Sequence, residues 1–211
     1  MTTIVPFRAR SLLTIVDLSA TFVFAMEGAI AATYYDINIL AVFVLAFSTA
    51  LVGGIIRDVL IGYTPPASLR SPTYPVVAFM GAGAVVLLDR AVADIPVILF
   101  QITDGVGLAL FAVVGTMKAI DARIRSLVAA LLGTVSACGG GVVRDMMLNI
   151  VPVVLRGEIY ALAALLGAGA TALAVRYAKA GRASAMTAGF LVCLTVRLVS
   201  VWLGWSLHHL D

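Results

Sequence analysis

The sequence predicts an all-α membrane protein with seven transmembrane helices, built as two inverted three-helix repeats plus a seventh helix. Three observations predict this fold class. The chain of 211 residues is 62% hydrophobic and 12% charged, with a mean hydropathy of +1.10, which excludes a soluble globular protein. Its apolar residues form seven long stretches, and the motif Gly-Gly-x-x-Arg-Asp occurs twice, beginning at Gly53 and at Gly140.

Seven stretches have the length of about 20 mainly apolar residues that a helical membrane crossing requires. They are 11–33, 38–62, 74–92, 97–118, 124–148, 158–178 and 184–207. Strands of a membrane β-barrel would alternate polar and apolar residues, so a helix bundle remains. The first stretch contains Asp17 and Glu27 and lacks a clear cleavage site, so we expect a retained span and not a signal peptide.

The doubled motif belongs to a longer internal repeat. At an offset of 87 residues, the identical pairs include Asp17/Asp104, Phe24/Phe111, Ala25/Ala112, Gly28/Gly115, Gly53/Gly140, Gly54/Gly141, Arg57/Arg144, Asp58/Asp145 and Pro65/Pro152. At an offset of 86 residues, they include Leu69/Leu155, Arg70/Arg156, Tyr74/Tyr160, Gly81/Gly167 and Gly83/Gly169.

The repeat defines the organisation of one transmembrane domain over residues 1–211. We assign residues 11–92 to the first three-helix repeat, 97–178 to the second and 184–207 to the seventh helix. Three crossings bring the chain into the second repeat from the opposite side of the membrane, so the repeats are inverted. Inverted repeats with sites near the bilayer midplane are typical of transporters and channels.

Adjacent glycines lie within the second and fifth spans. They are Gly53 and Gly54 in the second span and Gly139, Gly140 and Gly141 in the fifth. Because glycine weakens a helix, we expect both spans to be broken there and the freed backbone groups to line a pore. Close helix packing is the alternative interpretation, and it is the one we favour for the Gly-x-Gly pairs of the third and sixth spans.

Several ionisable residues fall inside the predicted spans, where a central charge costs about 2.5–3.5 kcal/mol on insertion scales. They are Asp17, Glu27, Arg57, Asp58, Asp104, Lys118, Arg144, Asp145 and Arg197. We expect them to face protein or water, as ion pairs that hold the bundle or as a cation pathway. Neighbours on a helix point about 100° apart, so we do not expect Arg57 to pair directly with Asp58. The candidate pairs are therefore Arg57 with Asp104 or Asp145, and Arg144 with Asp17 or Asp58.

Lys118 and Glu27 have no charged counterpart in the other repeat, where Ala31 and Val114 stand. Lys118 ends its span, so it is interpreted either as a side chain that reaches the membrane interface or as a gate that blocks a cation pathway in one state. Glu27 is a candidate partner for Lys118 or a cation ligand. The sequence leaves these alternatives open.

The cations predict the orientation. With a cytoplasmic N-terminus, the outer side holds Arg90 and Arg156, and the C-terminus with His208 and His209 lies outside. The cytoplasmic side then holds Arg8, Arg10, Arg70, Lys118, Arg123, Arg125, Arg176, Lys179 and Arg182. Such a bias follows the positive-inside rule.

The sequence favours no enzymatic function, because it contains no nucleophile elbow, zinc-binding HExxH or phosphate-binding loop. No cofactor or metal site is expected, since Cys138 and Cys193 lack metal-ligand spacing and His208 and His209 are interpreted as a solvated tail. The net charge of +3 is attributed to membrane topology, so we expect no nucleic-acid partner.

Over residues 11–205 these features resemble the TRIC (trimeric intracellular cation) channels and their prokaryotic homologues. The resemblance implies a homotrimer in the bacterial inner membrane, in contact with membrane lipid. It also implies a pore in each subunit for potassium and other monovalent cations, lined by the glycine-containing spans. Animal members carry a gating-linked Lys-Glu-Val motif on span four, and Met117-Lys118-Ala119-Ile120 lies at the similar place, so the resemblance makes Lys118 a gating candidate.

The same bacterial repeat is also described as a glycine-transporter domain. A secondary transporter for a small zwitterion such as glycine is therefore the alternative function, since it uses the same inverted halves. A membrane scaffold whose charges only hold the bundle together is a third possibility, which the high cost of charges inside the membrane disfavours.

Overall fold

A computed structural model describes residues 7–35, 37–91, 95–156, 159–178 and 180–205. Helices and one short 3-10 turn (η1) make up its regular structure. In chain order these are α1 (Phe7–Thr33), α2 (Ile39–Ile61), α3 (Ala67–Arg70), α4 (Thr73–Ala91), α5 (Val97–Asp121), α6 (Ser126–Met147), η1 (Val153–Leu155), α7 (Ala161–Arg176) and α8 (Arg182–Trp202). The seven long helices occupy the seven predicted spans, while α3 and η1 lie in the loops that follow α2 and α6.

The prediction of an all-α membrane protein is confirmed. Six helices, namely α1, α2, α4, α5, α6 and α8, are long and apolar enough to cross a membrane. Helix α7 is apolar but has 16 residues. At 1.5 Å per residue it is about 24 Å long, which is less than the roughly 30 Å of a bilayer's hydrocarbon core. The helix of the sixth span is therefore shorter than the apolar stretch 158–178 predicts.

The second helix of each repeat ends in the same way. Gly62 follows α2 with a φ of 83°, and its counterpart Asn149 follows α6 with a φ of 55°. Glycine and asparagine are the residues that most readily adopt this left-handed conformation at a helix end. The next amide then donates back to the aspartate of the motif: Tyr63 N to Asp58 O at 2.8 Å, and Ile150 N to Asp145 O at 3.0 Å. This termination directs both chains into their loops.

The predicted helix breaks are not observed, because α2 and α6 remain α-helical through their glycines. The glycines instead allow the two helices to approach closely. A Cβ atom on Gly53 would overlap the carbonyl oxygen of Ser136, and a Cβ atom on Gly140 would overlap that of Thr49. Close packing, the alternative interpretation, is therefore what the structure shows for Gly53 and Gly140.

These contacts also relate the two halves of the molecule. Thr49 and Ser136 are counterparts at the offset of 87 residues, so the two glycine contacts exchange partners between the repeats. Reciprocal contacts of this kind are the property of a two-fold interface. The rings of Phe24 and Phe111, which are also counterparts, meet with centroids 5.0 Å apart. Equivalent residues of the two predicted repeats thus exchange contacts where α2 meets α6.

Candidate functional site

Five buried or partly buried polar residues meet where α1, α2, α4 and α5 pack, and we call them the first-half cluster: Asp17, Arg57, Asp58, Tyr74 and Lys118. Asp17 lies at its centre. Its Oδ1 is 3.2 Å from Arg57 Nη1, and its Oδ2 is 2.6 Å from Lys118 Nζ. The Tyr74 hydroxyl donates to the same Oδ2 at 2.7 Å. These three contacts of the Asp17 carboxylate thus come from other helices.

The charges of the first-half cluster balance, because two carboxylates face two cations. Asp17, Arg57 and Asp58 are buried, whereas the Lys118 side chain is 22% exposed. The Lys118 ammonium also lies 3.9 Å from Asp58 Oδ1, so it stands between both carboxylates. Lys118 is therefore the member of this cluster that joins the buried charges to the outside.

A second group of residues lies where α1, α5, α6, α8 and the start of α7 meet. This second-half cluster consists of Glu27, Asp104, Arg144, Asp145, Tyr160 and Arg197. Arg144 forms an ion pair with Glu27, and its Nη2 lies 2.6 Å from Asp145 Oδ1. Arg197 Nε lies 3.1 Å from Asp104 Oδ2. The six side chains are buried, so this cluster has no partly exposed member like Lys118.

The aspartate of the motif has the same two contacts in both halves. Asp58 Oδ1 accepts from Arg57 Nε and Asp145 Oδ1 accepts from Arg144 Nε, each at 2.8 Å. The prediction that adjacent Arg and Asp side chains would not pair is therefore wrong. The arginine side chain is long enough to reach the neighbouring carboxylate, so the angle between neighbouring positions does not prevent contact.

The second oxygen of each aspartate holds the loop that follows. Asp58 Oδ2 accepts from the Ala67 amide at 2.9 Å, and Asp145 Oδ2 accepts from the Val153 amide at 2.8 Å. These amides begin α3 and η1, whose first turns have no side-chain cap of their own. The aspartates thus supply acceptors that helix starts require.

None of the predicted long-range pairs is present. Arg57 binds Asp17 instead of Asp104 or Asp145, and Arg144 binds Glu27 instead of Asp17 or Asp58. Glu27 is therefore not the partner of Lys118. The prediction assumed that each arginine would bind an aspartate of the opposite repeat. In the structure, α1 supplies both carboxylates, since Asp17 binds Arg57 of α2 and Glu27 binds Arg144 of α6.

The other glycines of the two motifs face the clusters. A Cβ atom on Gly54 would lie 3.6 Å from Arg57 Nη2, and one on Gly141 would lie 3.9 Å from Arg144 Nη2. Gly139 faces α2, where its Cβ would lie 3.2 Å from Gly53 Cα. Gly54 and Gly141 therefore border the guanidinium groups inside the bundle.

A small cavity adjoins the first-half cluster. It has a volume of about 10 Å³, and the polar residues Asp17, Thr21, Arg57, Ser68 and Tyr74 are among those that line it. Such a volume holds about one water molecule. The protein therefore has polar space beside Asp17, but the space is too narrow in this conformation for a hydrated ion.

Three residues of the clusters were not assigned as site residues from the sequence. Tyr74 and Tyr160 are an identical pair of the repeat. This match is the one sequence signal that could have indicated that both tyrosines face a cluster. Arg197 was recognised as an intramembrane charge, but the seventh helix has no counterpart in the repeat. Its pairing with Asp104 therefore depends on the packing of α8 against α5.

Some residues used to predict orientation lie outside the described residues. These are Lys179, His208 and His209, together with the side chains of Arg8 and Arg10. Cys138 and Cys193 are buried free thiols inside α6 and α8, in accord with a structural role.

Comparison with known proteins places this geometry among related membrane proteins. The glycine-transporter family model matches the chain twice, over residues 14–90 and 101–176. Each match covers one predicted repeat with its three long helices. The UPF0126 inner membrane protein YadS of Escherichia coli K12 is 33% identical over 185 residues, which are 88% of this chain and 89% of that protein.

Two solved structures share the fold. A TRIC trimeric intracellular cation channel orthologue from Rhodobacter sphaeroides is 30% identical, with a TM-score of 0.85, and the match covers 92% of this chain and 100% of that one. Another TRIC cation channel is 33% identical, with a TM-score of 0.82, and the match covers 94% and 97% of the two chains. The likeness therefore extends over nearly the whole transmembrane bundle.

Proposed function

Because the chain belongs to the glycine-transporter family and shares the fold of TRIC channels at 30–33% identity, we propose that it is a channel for monovalent cations. Potassium is the proposed preferred ion, and the bacterial inner membrane is the proposed location, as for YadS. The role is transport and not catalysis. Each subunit of a homotrimer would contain its own pathway, in keeping with the trimeric relative.

The observation that carries the proposal is the position of the Lys118 ammonium. It lies 2.6 Å from Asp17 and 3.9 Å from Asp58, where buried carboxylates bind a group of charge +1. If Lys118 withdraws, the remaining Asp17, Asp58 and Arg57 carry a net charge of −1. An oxygen-lined site of that charge attracts a monovalent cation and repels anions. Lys118 thus acts as a tethered competitor of the permeating ion.

The pathway would pass both clusters inside one transmembrane domain of residues 1–211. Glu27 of the first repeat belongs to the second-half cluster, so neither repeat completes a site alone. The close contact between α2 and α6 lies between the clusters. With room for about one water molecule beside Asp17, this conformation corresponds to a closed channel.

Purified protein in a planar bilayer under a potassium chloride gradient tests the proposal. Discrete unitary currents that reverse near the potassium equilibrium potential are expected. Replacing potassium by sodium on one side then measures the preference between the two ions. Currents that reverse near the chloride potential, or no currents from trimeric protein that retains its helical content, would contradict a cation channel.

The gating role of Lys118 is tested by Lys118→Met, with Lys118→Arg as the charge-conserving control. Removing the ammonium opens the Asp17 site, so we expect a higher open probability in Lys118→Met at unchanged ion selectivity. Lys118→Arg should resemble the wild type. An unchanged open probability in Lys118→Met would leave Lys118 as a side chain that anchors the helix at the membrane interface.

A carrier for a small zwitterion such as glycine is the second candidate, favoured by the family model that matches both repeats. Such a carrier would bind the amino group of its substrate at Asp17 and Asp58 while it alternates between two sides. Saturable counterflow of labelled glycine in proteoliposomes, without unitary currents, would support the carrier. Unitary currents without counterflow would exclude it.

We propose a cytoplasmic N-terminus and an external C-terminus. In this orientation the end of α5 and the start of α8 lie on the cytoplasmic side. Arg182 and Asp121 join them there, with contacts of 2.7 and 2.5 Å. A periplasmic reporter such as alkaline phosphatase, fused after residue 211, should be active. An active cytoplasmic reporter at the same position would reverse the orientation.

A further inference from the structure

Arg197 lies on α8, the helix outside the two repeats, yet it binds the carboxylate that is the counterpart of Asp17. Its Nε is 3.1 Å from Asp104 Oδ2, and its guanidinium carbon lies 4.9 Å from the centre of the Tyr160 ring. Asp104 and Tyr160 correspond to Asp17 and Tyr74 of the first half. Arg197 therefore holds the position in the second half that Lys118 holds in the first.

The tyrosines show that the two halves are in different arrangements. The Tyr74 hydroxyl donates to Asp17 at 2.7 Å, whereas the buried Tyr160 hydroxyl has no hydrogen-bond partner within the described parts of the chain. A buried hydroxyl without a partner is unfavourable. An arrangement in which Asp104 releases Arg197 and accepts from Tyr160 would reproduce the contact of the first half.

We infer that Arg197 is a second tethered cation, which closes the second half of the pathway by neutralising Asp104. This inference rests on the proposed cation conduction. The pathway then contains two closures in series, Lys118 at Asp17 and Arg197 at Asp104, one near each end. Ion passage requires both to be released.

The two closures differ in how they open. The Lys118 side chain is 22% exposed, whereas that of Arg197 is 7% exposed. Lys118 can therefore withdraw into water by rotating its own side chain. The Arg197 side chain is packed between the helices, so its release requires α8 to shift against α5. Gly105 on α5, whose Cβ position lies 3.5 Å from Arg197 Cγ, leaves space for such a movement.

A charge exchange separates this role from that of an ion pair that only holds α5 to α8. The double variant Asp104→Arg with Arg197→Asp preserves the pair but makes the fixed charge on α5 positive. If Arg197 is the mobile closure and Asp104 the cation site, the unitary potassium conductance should fall by about tenfold, because a positive fixed charge repels the ion. If the pair only holds the helices, the conductance stays at the wild-type value.

The matched control exchanges the other α5–α8 pair, Asp121→Arg with Arg182→Asp. This pair is partly exposed and lies at the ends of the same helices. Its exchange should leave the unitary conductance unchanged. A similar loss in both exchanged proteins would overturn the inference, because the effect would then come from disturbed packing of α8.

A third variant keeps the test decisive where the exchanged protein does not form trimers. Arg197→Lys retains the charge but loses the planar guanidinium contact, so the closure weakens and the open probability should rise severalfold. If the wild type passes cations and Arg197→Lys has the same open probability, the inference is overturned while the proposed channel function stands. A wild-type protein that passes no cation contradicts the proposed function itself and overturns the inference with it.

Discussion

The two halves of the molecule agree close to the repeated motif and differ away from it. In each half the aspartate of the motif binds its neighbouring arginine at 2.8 Å and holds the following loop. The other contacts of the arginines differ, since Arg57 reaches Asp17 in its own half while Arg144 reaches Glu27 in the opposite half. Contacts between residues close in sequence are thus repeated. Contacts between distant residues follow positions at which the repeats differ, such as Lys118 with Ala31 and Glu27 with Val114.

One such position determines how each half responds to the loss of a charge. Lys118, whose counterpart is Ala31, gives the first-half cluster a second cation near Asp17 and Asp58. Arg144 alone contacts both Glu27 and Asp145 among the ion pairs of the described residues. If Arg57 is removed, Asp17 and Asp58 therefore still have Lys118 beside them. In the second half, Glu27 and Asp145 both depend on Arg144.

The largest expected effect tests whether Lys118 compensates for the loss of Arg57 while nothing compensates for the loss of Arg144. Arg144→Met leaves Glu27 and Asp145 buried without their cation, so the free energy of unfolding should fall by about 3–5 kcal/mol. Arg57→Met should cost clearly less, because the Lys118 ammonium remains beside Asp17 and Asp58. Unfolding of both variants in mixed micelles by a denaturing detergent measures the two losses.

A matched variant checks the cause of that loss. Arg144→Met combined with Glu27→Leu removes the cation together with one carboxylate, and it should recover part of the lost stability. An equal loss of unfolding free energy in Arg57→Met and Arg144→Met would show that Lys118 does not compensate for the missing Arg57.

A smaller effect is expected where the halves are alike. Gly53→Ala and Gly140→Ala each place a methyl group against a backbone carbonyl of the facing helix, which should cost about 1–3 kcal/mol. Because the contact is reciprocal, the two losses should be similar. Gly54→Ala is the control, because its Cβ has no neighbour closer than 3.6 Å. Alanine favours a helix over glycine by up to about 1 kcal/mol, so this variant should lose no stability.

The same unfolding experiment measures these glycine variants. A loss in Gly53→Ala that is much larger than in Gly140→Ala would show that the two repeats do not share this contact symmetrically. A loss in Gly54→Ala equal to that in Gly53→Ala would indicate a general intolerance of side chains in α2.

Most of the fold could be predicted from the sequence, because length and hydropathy determine membrane spans and an odd number of spans per repeat determines inversion. The continuity of α2 and α6 could not. Adjacent glycines reduce helix stability, but they also permit the approach of Gly53 to Ser136 and of Gly140 to Thr49. Which of the two effects prevails depends on the facing helix, and one helix considered alone does not contain that information.

The members of the site were predicted better than their partners. The cost of a charge in lipid identified Asp17, Asp104 and both motif arginines as residues that face protein or water. Partner choice depends on which helices adjoin, and α1 supplies carboxylates to both halves. Arg197 was missed as the partner of Asp104 because α8 lies outside the repeat, so symmetry gave no prediction for it.

The smallest expected effect compares the two tyrosines. Tyr74→Phe removes a hydroxyl that donates to Asp17 at 2.7 Å, so the free energy of unfolding should fall by about 1–2 kcal/mol. Tyr160→Phe removes a buried hydroxyl that lacks an acceptor in the described chain, so stability should stay within about 0.5 kcal/mol or rise. Both variants keep the ring, which separates the hydroxyl from the packing of the aromatic group. Thermal unfolding in detergent resolves the difference without any measurement of ion flow. Equal losses would mean that Tyr160 has an acceptor in the native state, and the two halves would then be more alike around their carboxylates than this conformation indicates.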